Sequence, residues 1–139
     1  MMSTQTVVNR PLQAARILLV EDSDDVRDAF AMLLRGEGAE VVAVATGSEA
    51  IGLARRQNFD VLLTDYGLPD VAGDALIREI LTIARHRPHV VVVTGYGPPY
   101  VEHSRQAGAD RVLSKPTDWP RLLQHLVTVT KHAAGRTAA

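Results

Sequence analysis

The chain reads as an α/β protein, a doubly wound sheet of five parallel strands with helices on both faces. Three observations predict this. Five short apolar runs recur without polar alternation, as strands covered on both faces require. Segments with helical spacing of apolar residues lie between them, which calls for a parallel sheet with right-handed crossovers. The runs also end at chemically capable side chains, where open parallel sheets place their sites.

The first run, Ile17–Val20, stops at Glu21 and Asp22. In the helix that follows, Val26, Phe30, Leu33 and Leu34 share a side. Asp24 and Asp25 fill its first turn, and Gly36 and Gly38 end it. Val41–Ala45 is the second strand, and the helix after it starts near Ser48–Glu49 and carries Ala50, Ile51, Leu53 and Ala54. Val61–Leu63 leads to Thr64 and Asp65, then to a helix of Leu76, Ile77, Ile80, Leu81 and Ala84 that stops before Pro88. Val90–Val93 leads to Thr94 and Gly95. The next helix is expected to be short and to start late, after Gly97-Pro98-Pro99, because Pro is tolerated only in a first turn. Arg111–Leu113, the weakest run, is followed by Ser114-Lys115-Pro116 and a last helix opening at Asp118 with Leu122, Leu123, Leu126 and Val127.

Residues 1–14 are polar and aperiodic and read as a flexible arm; the domain spans 15–131, and 132–139 (HAAGRTAA) is a tail that either extends the last helix or frays. A length of 139 residues suits one core, and an aromatic share of 4% leaves the core to Val, Leu, Ile and Ala. The net charge of −1 carries no footprint for nucleic acid or an anionic membrane. Without Cys, disulfides, thiolate metal sites and cysteine catalysis are excluded. Neither a signal peptide nor a membrane span is legible, so a cytoplasmic location is the default.

Glu21, Asp22, Asp65, Thr94 and Lys115 therefore converge on one mouth of the sheet. Clustered carboxylates repel unless a cation intervenes. A hard divalent ion such as Mg²⁺ suits them, because it takes one or two carboxylates with water and phosphate oxygens. Phosphoryl transfer asks for positioning and charge neutralisation. Mg²⁺ and Lys115 can meet two phosphoryl oxygens, with the Thr94 hydroxyl and a backbone N–H near Gly95 for a third.

The blocks ILLVEDSDD, DVLLTDYGLPD, VVVVTGYG and GADRVLSKP stand in order and with matching spacing over about residues 15–130. In these the chain resembles the receiver domains of response regulators, CheY-like proteins with a flavodoxin-like (βα)5 fold. The resemblance implies phosphorylation at Asp65. It implies Mg²⁺ (or Mn²⁺) on Asp22, Asp65 and the Gly67 carbonyl, with Glu21 acting through water. Thr94 becomes the switch hydroxyl, Lys115 the phosphoryl-binding lysine, and Pro116 the site of a cis peptide. The donor would be a phosphohistidine on a sensor kinase or phosphotransfer protein. The output would be a contact between a downstream protein and the face of the fourth helix, fifth strand and fifth helix. Homodimerisation stays open, as does origin in a hybrid kinase, although the initiating Met favours a free-standing domain without an output module.

Two positions depart from the pattern. Val112 stands where many receivers carry a strand-five aromatic, and Tyr96 is the candidate substitute readout. Gly67 offers no side chain to steer a hydrolytic water. It also argues against a phosphohydrolase, which would want a second acid there as general acid. A nucleotide-binding module is disfavoured by the two acids after the first strand, which would repel phosphate. Asp70 and Asp74 read as loop and helix-start residues, and His86, His89, His103, His125 and His132 as surface side chains without metal-ligand spacing.

Overall fold

The computed structural model describes residues 10–138, with side chains described as far as Lys131. Along the chain run β1 (Arg16–Val20), α1 (Asp24–Gly36), β2 (Glu40–Val44), α2 (Gly47–Arg56), β3 (Val61–Asp65) and α3 (Gly73–Ile83). They are followed by β4 (His89–Thr94), α4 (Pro98–Ala107), β5 (Arg111–Ser114) and α5 (Trp119–Ala138). All pairings are parallel, and the strand order is β2-β1-β3-β4-β5. The predicted fold class is the observed one.

The uniform apolar character of the strands has a direct cause. Successive side chains point to opposite faces, and both faces are covered. Leu18, Val20, Leu62, Val90 and Val92 enter one core with Ala50 and Ala54 of α2, Leu76, Ile77 and Ile80 of α3, and Ala107 of α4. Ile17, Leu19, Val61, Leu63, Val91 and Val93 enter the other with Ala31 and Leu34 of α1 and Leu122 and Leu126 of α5. Each of these Val, Leu and Ile side chains contributes about 1.5–3 kcal/mol on full burial. The chain leaves β1 toward β2 but leaves β3 toward β4 on the other side, so strand order reverses between β1 and β3. A crevice opens at the C-terminal ends of that pair, the place where doubly wound sheets hold ligands.

Several boundaries differ from the sequence-based expectation. Residues 10–14, expected within a flexible arm, form a turn against the end of α1: the Leu12 and Ala14 N–H groups donate to Glu37 and Gly38 carbonyls at 2.8 and 3.1 Å. Leu12 is buried in the α1–α5 core. Gly38 permits this closeness, having a φ of +98° and a backbone whose Cβ would lie 2.9 Å from the Arg10 Cβ. Residues 1–9 of the expected arm lie outside the described residues.

Pro98 and Pro99 do not delay α4. They are its first two residues, where a missing N–H removes no helical bond. Helix α3 ends at Ile83, well short of Pro88, and α5 continues to Ala138 through most of the segment expected to be a tail.

Candidate functional site

Glu21 and Asp22 follow β1 and Asp65 ends β3, so the strand reversal brings them together. One carboxylate oxygen from each lies within 4.8 Å of the others. Asp65 and Glu21 are buried, while Asp22 is exposed. The Glu21 carboxylate accepts the Ser23 N–H at 3.0 Å, and its carbonyl accepts Arg27 at 2.9 Å, which holds the residue at the rim. Burial pushes the Glu21 carboxyl above its ordinary value. The Ser23 N–H and Lys115 oppose this, while the negative Asp65 adds to it.

Lys115 crosses the crevice from the end of β5. Its Nζ lies 2.9 Å from Asp65 Oδ2 and 4.0 Å from Glu21 Oε1. Burial alone would lower this lysine, but the hydrogen bond and charge of Asp65, with Glu21 and Asp22, outweigh it and hold the ammonium above its ordinary value. The Lys115–Pro116 peptide is cis, as expected. The Lys115 N–H donates to the Thr94 carbonyl at 2.9 Å, so the ends of β4 and β5 are tied beside the site.

Thr94 is buried, and its Oγ1 accepts the Tyr96 N–H at 2.9 Å. Among the described residues its hydroxyl donates to no partner, leaving that proton free for a ligand. Gly95 lies beside the Lys115 side chain, 3.9 Å from where its own Cβ would be. The Gly67 N–H donates to Asp65 Oδ1 at 3.3 Å, placing Gly67 at the lip of the acidic cluster.

Tyr96 is about half exposed, and its ring reaches back over Gly67. A Cβ on Gly67 would stand 3.0 Å from the Tyr96 hydroxyl. The ring also packs against two others, edge-on to Tyr66 with centroids 5.9 Å apart and tilted against Tyr100 at 4.9 Å. Tyr66 was not singled out from the sequence, since one aromatic after a strand end carries no periodic signal. It is buried, with Asp74 beside its hydroxyl, and burial first and Asp74 second raise its pKa. Val112 packs half-buried against the α2–α3–α4 core. Asp70 lies outside the acidic cluster; its carboxylate accepts the Gly47 and Ser48 N–H groups at 2.9 Å each, capping α2 from a distant loop.

One histidine expectation is corrected. His89 and His125 are not isolated surface residues: their Nε2 atoms lie 2.8 Å apart, half-buried between β4 and α5. The pairing joins residues 36 apart in sequence, so no local spacing could disclose it.

Three carboxylates facing one ammonium leave a local deficit of positive charge when ionised. The oxygens of Mg²⁺ ligands at about 2.1 Å from the ion are separated by about 3–4 Å. A set already within 4.8 Å reaches that spacing by small side-chain movement.

Residues 17–127 match the family described as response regulator receiver domain. A response regulator receiver protein of Anaeromyxobacter is 36% identical over 108 residues, covering 78% of this chain and 45% of that protein. The chain spans about half or less of the length of the curated relatives it matches. The receiver domain of the sensor histidine kinase PA1611 from Pseudomonas aeruginosa, solved with magnesium coordinated in its active-site cleft, is 31% identical with a TM-score of 0.73. That match covers 83% of this chain and 98% of the other. A CheY-like receiver domain from Methanospirillum hungatei is 29% identical with a TM-score of 0.76, covering 86% and 99%. With the fold, the strand-end acids and the family match in agreement, the chain belongs to the response regulator receiver domain family of two-component signalling.

Proposed function

We propose that this receiver domain takes a phosphoryl group on Asp65 from a phosphohistidine of a sensor kinase or phosphotransfer protein. The observation that carries the reading is the placing of Asp65 within 4.8 Å of two further carboxylate oxygens and 2.9 Å from the Lys115 ammonium. Asp22, Asp65 and the Gly67 carbonyl would hold Mg²⁺ directly and Glu21 through water, with Mn²⁺ as an alternative. The magnesium in the cleft of the PA1611 receiver supports this assignment. When bound, the ion supplies positive charge to the phosphoryl oxygens and offsets the repulsion among the acids.

The residues of the chain do the rest. An Asp65 carboxylate oxygen attacks phosphorus in line, the P–N bond to the donor imidazole breaks, and that imidazole leaves with a proton from solvent. Lys115 passes from the Asp65 carboxylate to a phosphoryl oxygen without leaving the crevice. The uncommitted Thr94 hydroxyl proton and the Gly95 N–H donate to another. Because Thr94 Oγ1 holds the Tyr96 N–H, movement of Thr94 toward the phosphoryl group pulls the loop that opens α4. With Val112 too small to swing, Tyr96 is the ring that reports the change, and α4, β5 and α5 present it to a downstream protein. A group of about −2 charge is sufficient to bias such a two-state element.

The test is incubation with acetyl phosphate and Mg²⁺ followed by intact-mass and peptide analysis. A single phosphoryl group on Asp65 is expected, absent in Asp65→Asn and after chelation of the metal. Sustained turnover of small phosphate esters without an adduct would replace this reading with a phosphohydrolase.

A further inference from the structure

We propose that the groove between α4, β5 and α5 is built for an acidic polypeptide segment of the downstream partner, gripped by Arg105, Arg111 and Arg121. The inference rests on the signalling reading above and adds the chemistry of the partner.

Among the described residues, seven arginines have side-chain partners: Arg10, Arg16, Arg27, Arg35, Arg55, Arg78 and Arg87. The other five described arginines make no side-chain hydrogen bond or ion pair, and Arg105, Arg111 and Arg121 of that set line one groove of about 630 Å³. Local helix electrostatics explains only Arg105, in the last turn of α4, where the dipole favours a cation. Arg111 lies on a strand. Arg121 lies in the first turn of α5, where the same dipole disfavours a positive charge.

The acids of the groove do not answer these cations. Asp110 is held by the Arg87 guanidinium and the Val90 N–H, both at 2.8 Å. Asp118 accepts the backbone N–H of Arg121 at 3.2 Å. Three guanidinium groups thus line a space with two carboxylates, of which Asp110 is already paired with Arg87, so the cations are in excess.

The floor favours a polypeptide. Val112 and Leu113 supply apolar surface, and among the described residues β5 is an edge strand with no strand beyond it. An edge strand offers backbone groups to an added chain, and flanking side-chain sites then select its residues.

The experiment uses the full chain with Mg²⁺ and fluoroberyllate, titrated with a short peptide alternating Glu and Val while backbone amides are followed by NMR. Shifts are expected at Arg105, along β5 and at Arg121, and a matching Lys–Val peptide is expected not to bind. The Arg111→Glu, Arg121→Glu pair should weaken binding by about tenfold or more, as should raised salt, because the contact is electrostatic. Both residues are at least partly exposed, and Arg111→Gln with Arg121→Gln gives a milder second variant with the same expected direction. Equal binding of the Lys–Val peptide, shifts away from the groove or no loss in either variant would overturn the proposal. Tighter binding of a charge-matched oligonucleotide would assign the groove to nucleic acid instead. Self-association abolished by the same charge reversal would assign it to a second copy. Fluorine NMR reads the Asp65 adduct separately. Its absence in the wild type sinks the phosphoacceptor reading, whereas a normal adduct without peptide binding sinks the groove alone.

Discussion

At Asp65, one carboxylate oxygen is held by Lys115 and the other only loosely by the Gly67 N–H at 3.3 Å. That asymmetry orients the group while leaving an oxygen for new chemistry. Asp22, exposed at the rim, is the member of the cluster that can be removed without opening the core. With free Mg²⁺ at about 100 times its Kd, the wild type should gain about 2.7 kcal/mol of stability. Asp22→Ala should gain almost none, as read by denaturant midpoints with and without the ion. These acids were legible from sequence because their types and strand-end positions state their chemistry. Tyr66 was not, because its role depends on two rings that reach it from α4 and the loop before it.

Elements are secured by contacts that cross the chain as much as by local ones. Helix α2 has a local cap: the Thr46 hydroxyl oxygen accepts the Glu49 N–H at 3.2 Å and donates its own proton to the Glu49 carboxylate at 3.0 Å. It also has a remote cap in Asp70, whose carboxyl is held below its ordinary value by the Gly47 and Ser48 N–H groups. The same logic attaches the segment before β1. Leu12 is 1% exposed, although its neighbours Arg10, Pro11 and Gln13 give it a polar, loop-like setting in sequence. Leu12→Ala should therefore cost about 2–5 kcal/mol, the range for emptying a buried leucine site. A change within about 0.5 kcal/mol in urea unfolding, typical of surface positions, would show that the segment does not belong to the core.

Across the whole molecule, the two ends of the sheet carry different kinds of charge. The C-terminal ends of the strands hold the acidic cluster, and the N-terminal ends hold the His89–His125 pair. Around that pair stand Asp110 at 3.6 Å from His89 Nδ1, Arg87 before β4 and Arg111 on β5. Burial lowers both histidines from 6.5. Asp110 opposes it for each, whereas Arg87 adds to it at His89, and His89 and Arg111 add to it at His125. A histidine depressed in the folded state takes up its proton more readily when unfolded, so its contribution is intact above 6.5 and is lost as pH falls through the lower folded values. Stability should decline as pH falls below 6.5, before the ordinary carboxylate range is reached, and the decline should be shallower in His125→Leu. Equal slopes for the two proteins would remove the pair as the cause. No described helix is long and apolar enough to cross a membrane.

The order of strands and helices, the parallel sheet and the acids, hydroxyl and ammonium at its mouth follow from sequence alone. Each is a local property: a run of aliphatic residues, a periodic face, a polar residue at a strand end. Three features needed the tertiary structure, namely the contact of His89 with His125, the burial of Leu12 and the ring of Tyr96 over Gly67. Each depends on distance between residues remote in sequence, and such distances are fixed only when both faces of the sheet are packed.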